Sequence, residues 1–78
     1  MDNFTEQFSS FSGVKIELCS FPSDFAGFLA KQSDFTLIGI NTDLSTREKI
    51  NATAILIKKV NEGQVYQSLH RDELFHSV

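Results

Sequence analysis

The side chains best suited to metal or acid–base chemistry lie together near the C-terminus, in the stretch LHRDELFH. His70, Glu73 and His76 are spaced three residues apart, and Asp72 lies between the first two. On a helix, each step of three residues turns the side chain by about 60°, so these three do not converge on one metal ion. The stretch also lacks the H-E-x-x-H and H-x-x-E-H patterns of zinc peptidases. We therefore interpret it as a solvated charged segment, compatible with a partner contact, and we predict no metal, cofactor or catalytic residue.

The rest of the sequence predicts neither a catalytic nucleophile nor a phosphate-binding loop. Cys19 is the single cysteine, which excludes an intrachain disulfide and a thiolate zinc site. No histidine lies near it in the sequence, so we expect a small apolar residue close to a sheet. The four glycines are scattered and form no phosphate-binding loop.

One long helix is the clearest element of the sequence, over LSTREKINATAILIKKVNEG. Ser45 and Glu48 form an S-x-x-E capping box, in which each residue satisfies a free amide of the other. Gly63 is placed to end the helix. Positions recurring at helical spacing are Ile50, Ala54, Ile57 and Asn61.

Three strands are predicted before this helix. VKIELC alternates apolar and charged residues, as a half-buried strand does, and FAGFLAK and FTLIGIN are the next two. Pro22 interrupts the ladder between the first and second strands. Because the strands follow one another closely, we expect an antiparallel meander.

The two ends of the chain are predicted to be helical. Phe4, Phe8 and Phe11 share one face at helical spacing, and this stripe is a core face or, alternatively, a docking face. Beyond Gly63, a short C-terminal helix would carry Val65, Tyr66 and Leu69. The expected fold is therefore α+β, with an N-terminal helix, a three-stranded antiparallel sheet, the long helix and a possible short C-terminal helix.

Size and charge restrict the class of function. The 78 residues are enough for one small domain. The net charge of −3 and the pI near 5.1 argue against direct nucleic-acid binding. No apolar run approaches the length of a membrane span, and the acidic N-terminus is unlike a signal peptide. We expect a cytoplasmic protein without membrane contact or small-molecule substrate.

A family resemblance appears at SGVKIELCSFPSDFAGFLAK followed by FTLIGINTDLSTREKINATAIL. This region, about residues 10–60, resembles the N-terminal part of the ImmA/IrrE family of zinc metallopeptidases. In that family a strand leads into an Asn, a Leu-Ser pair and then the helix that carries the zinc motif. The matching residues are Gly27-Phe28, Ile40-Asn41, Leu44-Ser45, Glu48-Lys49 and Ala54.

The resemblance fails at the zinc motif itself. The first His and the Glu of the family motif fall on Ile55 and Leu56, and the final His falls on Lys59. Apolar side chains cannot bind zinc or activate water, and a Lys ammonium repels a cation. The resemblance thus implies a truncated, catalytically inactive relative. In such a helix, we predict that Ile55 or Leu56 is buried in the core or at a contact.

The function implied by the resemblance is regulatory. The ImmA side of the family acts on helix-turn-helix repressors of phages, and a relative without catalysis would retain the binding of a repressor. Such a protein resembles the temperate-phage antirepressors and modulators of repression that act in lysis–lysogeny switches. The alternatives are a phage-borne inhibitor or antidote for another host or defence protein, and an enzyme that has a relocated metal site or is completed by another chain.

The C-terminal segment is the predicted contact surface for this repressor. Interfaces concentrate their binding energy in a few aromatic and charged anchors. This segment interleaves both kinds of residue, and its carboxylates can pair with the repressor arginines that otherwise hold DNA phosphates. The predicted partner-binding residues are Tyr66, Leu69, Asp72, Glu73 and Phe75.

Overall fold

The computed structural model describes residues 13–22 and 24–75. Its elements are β1 (Val14–Cys19), β2 (Phe25–Lys31), β3 (Thr36–Asn41), α1 (Thr46–Asn61), β4 (Tyr66–His70) and a 3₁₀-helix (Arg71–Phe75). The strands form one mixed sheet in the order β1-β3-β2-β4. β1 pairs with β3 in parallel, and β2 is antiparallel to both β3 and β4.

The predicted three-stranded antiparallel sheet is wrong, although strands do form at VKIELC, at FAGFLAK and within FTLIGIN. β3 is inserted between β1 and β2, so the chain passes from β1 to β2 across the end of β3. Alternation identifies a strand but does not identify its neighbour. β3 is buried at five of its six positions, which suits a central strand flanked on both sides. The helix predicted over Phe4, Phe8 and Phe11 lies outside the described residues.

The predicted C-terminal helix is also wrong. Tyr66–His70 form β4, which pairs with β2, and only Arg71–Phe75 are helical, as one 3₁₀ segment. Without β4, the backbone groups along one edge of β2 would lack partners in a buried part of the sheet. This long-range pairing outweighs the weak helical periodicity of the segment.

Both ends of α1 agree with the sequence signals. The Ser45 hydroxyl accepts a hydrogen bond from the Glu48 amide at 3.1 Å, and the Ser45 amide donates to the Glu48 carboxylate at 2.9 Å. The predicted capping box is therefore confirmed. At the other end, Gly63 has φ of 88°, a left-handed conformation that glycine adopts without strain.

The core lies between α1 and one face of the sheet. Its buried apolar residues in the described chain are Ala26, Leu29, Ile38, Ile40, Leu44, Ala52, Leu56, Ile57, Leu69 and Leu74. Leu56 is fully buried, which confirms the prediction for the pair Ile55 and Leu56. It packs close to Gly27, where a Cβ would lie 3.4 Å from the Leu56 methyl and would overlap the carbonyl oxygen of Gly39. α1 is thus a packing element of the core.

Among residues 13–22 and 24–75, no helix has the length and apolarity that a bilayer span requires.

Candidate partner-binding surface

The second face of the sheet, opposite α1, carries a cluster of phenylalanine rings. Phe21 makes edge-to-face contacts with Phe25 at 4.9 Å and with Phe28 at 5.8 Å between ring centroids. All three rings are only half-buried. They line an open hollow of about 490 Å³, which we call the aromatic groove. Its lining residues are Phe21, Pro22, Asp24, Phe25, Phe28 and Tyr66.

Two local features of the sheet bring these rings to one face. The register of β2 against β4 shifts between Phe25 and Gly27, which interrupts the strict alternation of side chains. Phe25 therefore joins Phe28 in contact with Phe21. Phe28 lies opposite Gly39 on β3, and a Cβ at Gly39 would overlap the Phe28 ring. The missing side chain lets the ring lie close against the sheet.

Asn41 fixes the crossover segment that carries Phe21 and Pro22. This side chain is fully buried at the end of β3. Its amide donates to the Phe25 carbonyl at 2.7 Å and to the Pro22 carbonyl at 3.2 Å. Its own oxygen accepts from the Asp43 amide at 3.1 Å. Asn41 is therefore a positioning residue for the aromatic groove, and in the sequence it was singled out only through the family resemblance.

A second hollow, of about 820 Å³, lies at the end of β4, and we call it the acidic groove. It is lined by Asp24, Glu48, His70, Arg71, Asp72 and Glu73. The carboxylates of Asp24, Asp72 and Glu73 belong to exposed residues. One oxygen of Glu73 accepts the His70 amide at 2.9 Å, so this carboxylate also caps the end of the strand.

An ion pair joins the acidic groove to the start of α1. The Arg71 guanidinium donates to both oxygens of Glu48, at 3.0 and 3.2 Å. These bonds, together with the bond from the Ser45 amide, lower the pKa of the Glu48 carboxyl from its ordinary value. The same pairing raises the pKa of Arg71. The 3₁₀-helix, and with it Asp72 and Glu73, is thereby attached to the body of the domain.

The two grooves adjoin each other. Asp24 lines both of them. Across the boundary, Phe25 of the aromatic groove and His70 of the acidic groove meet edge to face, with ring centroids 5.8 Å apart. The result is one surface in which aromatic rings lie directly beside carboxylates.

The predicted partner-binding residues are distributed unevenly over this surface. Tyr66 is 63% exposed and lines the aromatic groove, whereas Asp72 and Glu73 line the acidic groove. Leu69 is only 2% exposed and packs in the core, opposite Gly27. Phe75 ends the 3₁₀-helix, and its side chain lies outside the described part of the chain.

Sequence reasoning missed the residues that precede and begin β2, namely Phe21, Asp24, Phe25 and Phe28. The available signal was the number of phenylalanines around Pro22, the residue that separates the first two strands. A turn that only connects two strands does not require large aromatic side chains, so their presence indicates a packing or binding role.

Metal-binding and nucleophilic residues are not assembled in the described ranges. Across residues 13–22 and 24–75, no three His, Cys, Asp or Glu side chains are grouped so that they could hold a metal ion. The positions aligned with the zinc motif are the half-buried Ile55, the buried Leu56 and Lys59. Burial, and next the charge of Glu17, raise the pKa of the Cys19 thiol, which disfavours the reactive thiolate.

No protein family, curated protein or solved structure matches this chain. The resemblance to the ImmA/IrrE family accordingly stays a prediction from residues 10–60.

Proposed function

We propose that this chain is a non-enzymatic phage regulatory protein that binds a helix-turn-helix repressor in the host cytoplasm. The contact on the repressor is its DNA-binding domain, and the consequence is altered operator binding in a lysis–lysogeny switch. The observation that carries the proposal is the acidic groove beside the aromatic groove, joined at Asp24.

The negative charge of the acidic groove favours a basic partner such as a DNA-binding domain. A DNA-binding domain presents lysines and arginines toward phosphates. The exposed carboxylates of Asp24, Asp72 and Glu73 offer those side chains an alternative set of charge-assisted hydrogen bonds. A protein with net charge −3 that occupies this surface competes with DNA for it.

The combination of aromatic rings and carboxylates on this surface is typical of a protein interface. Protein interfaces combine a central group of aromatic anchors with a polar rim. Here the rings of Phe21, Phe25 and Phe28 provide the anchors, and the acidic groove provides the charged rim. The non-enzymatic part of the proposal is supported by Leu56, which fills the core at the position of the family's catalytic Glu.

Charge reversal in the acidic groove tests the proposal. The double variant D24K/D72K leaves Glu73 in place, because its carboxylate caps β4. The matched control D34K/E62K makes the same change in net charge at two exposed residues outside both grooves. The binding partner in the test is a phage helix-turn-helix repressor, and the readouts are calorimetric affinity and a gel shift on that repressor's operator.

We expect the unmodified protein to bind the repressor's N-terminal domain, to change its gel shift and to leave the repressor at full length. D24K/D72K should weaken binding by about tenfold or more, since each desolvated charge pair is worth about 1.5–3 kcal/mol. The control variant should bind as the unmodified protein does. Equal affinity of both variants would remove the acidic groove from the interface, and cleavage of the repressor would refute a non-enzymatic role.

A further inference from the structure

The aromatic groove has the form of an anchor site for one large apolar side chain. Its walls are half-buried rings that already contact one another, so little side-chain freedom is lost when a ligand binds. The hydrogen bonds from Asn41 to the carbonyls of Pro22 and Phe25 hold the segment in place. A volume of about 490 Å³ is sufficient for a leucine or phenylalanine side chain together with part of its backbone.

The two grooves share a wall, which restricts what kind of partner element can occupy both. Phe25 and His70, one from each groove, have ring centroids 5.8 Å apart. Residues three or four apart on a helix have Cβ atoms about 5–6 Å apart on the same face. Because the grooves adjoin at this ring pair and at Asp24, an apolar residue and a basic residue that are neighbours on one face of a helix can contact both grooves together.

We propose that this two-groove surface binds an amphipathic basic helix. A large apolar side chain of that helix enters the aromatic groove, and an Arg or Lys three or four residues away enters the acidic groove. Charge complementarity selects this occupant, because Asp24 belongs to both grooves and the neighbouring Asp72 and Glu73 are exposed. The inference rests on the proposed function and specifies the element of the partner that is recognised.

Tyr66 provides a spectroscopic probe inside the aromatic groove. It is the single tyrosine of a chain without tryptophan, so emission excited at wavelengths that phenylalanine does not absorb reports on this residue alone. It is 63% exposed in the free protein and lines the groove. An occupant of the groove changes the environment of its ring.

The first experiment titrates the full chain with alanine-based helical peptides that contain no aromatic residue. One peptide carries Leu and Arg four residues apart, a second carries Leu and Glu, and a third carries Ala and Arg. We expect a saturable change in Tyr66 emission with the Leu/Arg peptide, and binding weaker by about tenfold or more with the other two. Equal responses to all three peptides, or no response to any, would overturn the inference.

The second experiment compares Tyr66→Ala with Val65→Ala in binding to the repressor's N-terminal domain. The two neighbours are equally exposed, at 63% and 62%, but Val65 does not line the groove. We expect Tyr66→Ala to weaken binding by about tenfold and Val65→Ala by less than about twofold. Tyr66→Phe should retain most of the affinity, because the ring is kept.

The outcomes separate this inference from the proposed function. If the unmodified chain binds no repressor domain but responds to the Leu/Arg peptide, the groove is a helix-binding site and the repressor is the wrong partner. If the repressor binds and Tyr66→Ala behaves as Val65→Ala does, the proposed function stands and the aromatic groove is not its anchor.

Discussion

Asn41 is the single residue on which the position of the aromatic groove depends most directly. Its buried amide group makes three hydrogen bonds to the backbone. It donates to the carbonyls of Pro22, just before β2, and of Phe25, the first residue of β2, and it accepts from the Asp43 amide. Side chains other than Asn cannot both donate to these carbonyls and accept from the Asp43 amide in the same space. One polar side chain at the end of a buried strand thus connects the core to the binding surface.

Asn41→Ala should lower the free energy of unfolding by about 2–4 kcal/mol, since it removes the three hydrogen bonds of a fully buried side chain. Urea denaturation followed by far-UV circular dichroism measures this. Thr42→Ala is the control, because Thr42 is the exposed neighbour and its backbone bond to Cys19 is unaffected. A loss no larger than that of the control would contradict the positioning role.

At the scale of elements, Glu48 connects the start of α1 to the 3₁₀-helix. One carboxylate accepts from the Ser45 amide as part of the capping box and from the Arg71 guanidinium. The carboxylate therefore acts both on the helix start and on the segment that carries Asp72. Because both partners stabilise the charged form, the pKa of Glu48 is lower in the folded protein than in the unfolded chain.

The sign of this pKa shift predicts how stability depends on pH. The contribution of Glu48 is complete above its unfolded-state pKa and is lost as the pH falls through the lower folded-state pKa. Glu48→Gln should be less stable near neutral pH and should lose less stability on acidification. Urea denaturation at a series of pH values across the carboxyl range measures the difference. Glu62→Gln, at an exposed residue just past the other end of α1, is the matched control.

At the scale of the whole molecule, one layer of apolar residues between α1 and the sheet forms the core of the described chain. Small domains bury a smaller fraction of their surface than large ones, so each central side chain carries a larger share of the stability. Leu56 lies at the centre of this layer, fully buried and close to Gly27. Ile55, its neighbour, packs only against the edge of the core.

Leu56→Ala should lower the free energy of unfolding by about 2–5 kcal/mol, because it removes buried methyl groups and leaves a cavity. Ile55→Ala should cost clearly less, since that side chain is already half exposed. Urea denaturation, followed by Tyr66 emission and by circular dichroism, should give one coincident transition for each variant. Equal costs at the two positions would contradict the structural role assigned to Leu56.

Most of the individual elements could be predicted because their signals are local. Alternation placed β1 at its observed bounds, the strand predicted over FAGFLAK coincides with β2, and the capping box and Gly63 marked the ends of α1. β4 could not be predicted in this way, since Tyr66–His70 are a strand only because β2 offers them a free edge. Of the candidate surface, Tyr66, Asp72 and Glu73 were predicted from residue type alone.

The sequence by itself determined the long helix, three of the strands and the absence of an H-E-x-x-H zinc motif from the given residues. Capping, alternation and the identity of a metal ligand each depend on residues only a few positions apart. Only the tertiary structure decided that β1 pairs with β3 and that β2 lies between β3 and β4. Those pairings bring Phe21, Phe25 and Tyr66 together beside Asp24, because side chains far apart in the chain become neighbours only through the register of the sheet.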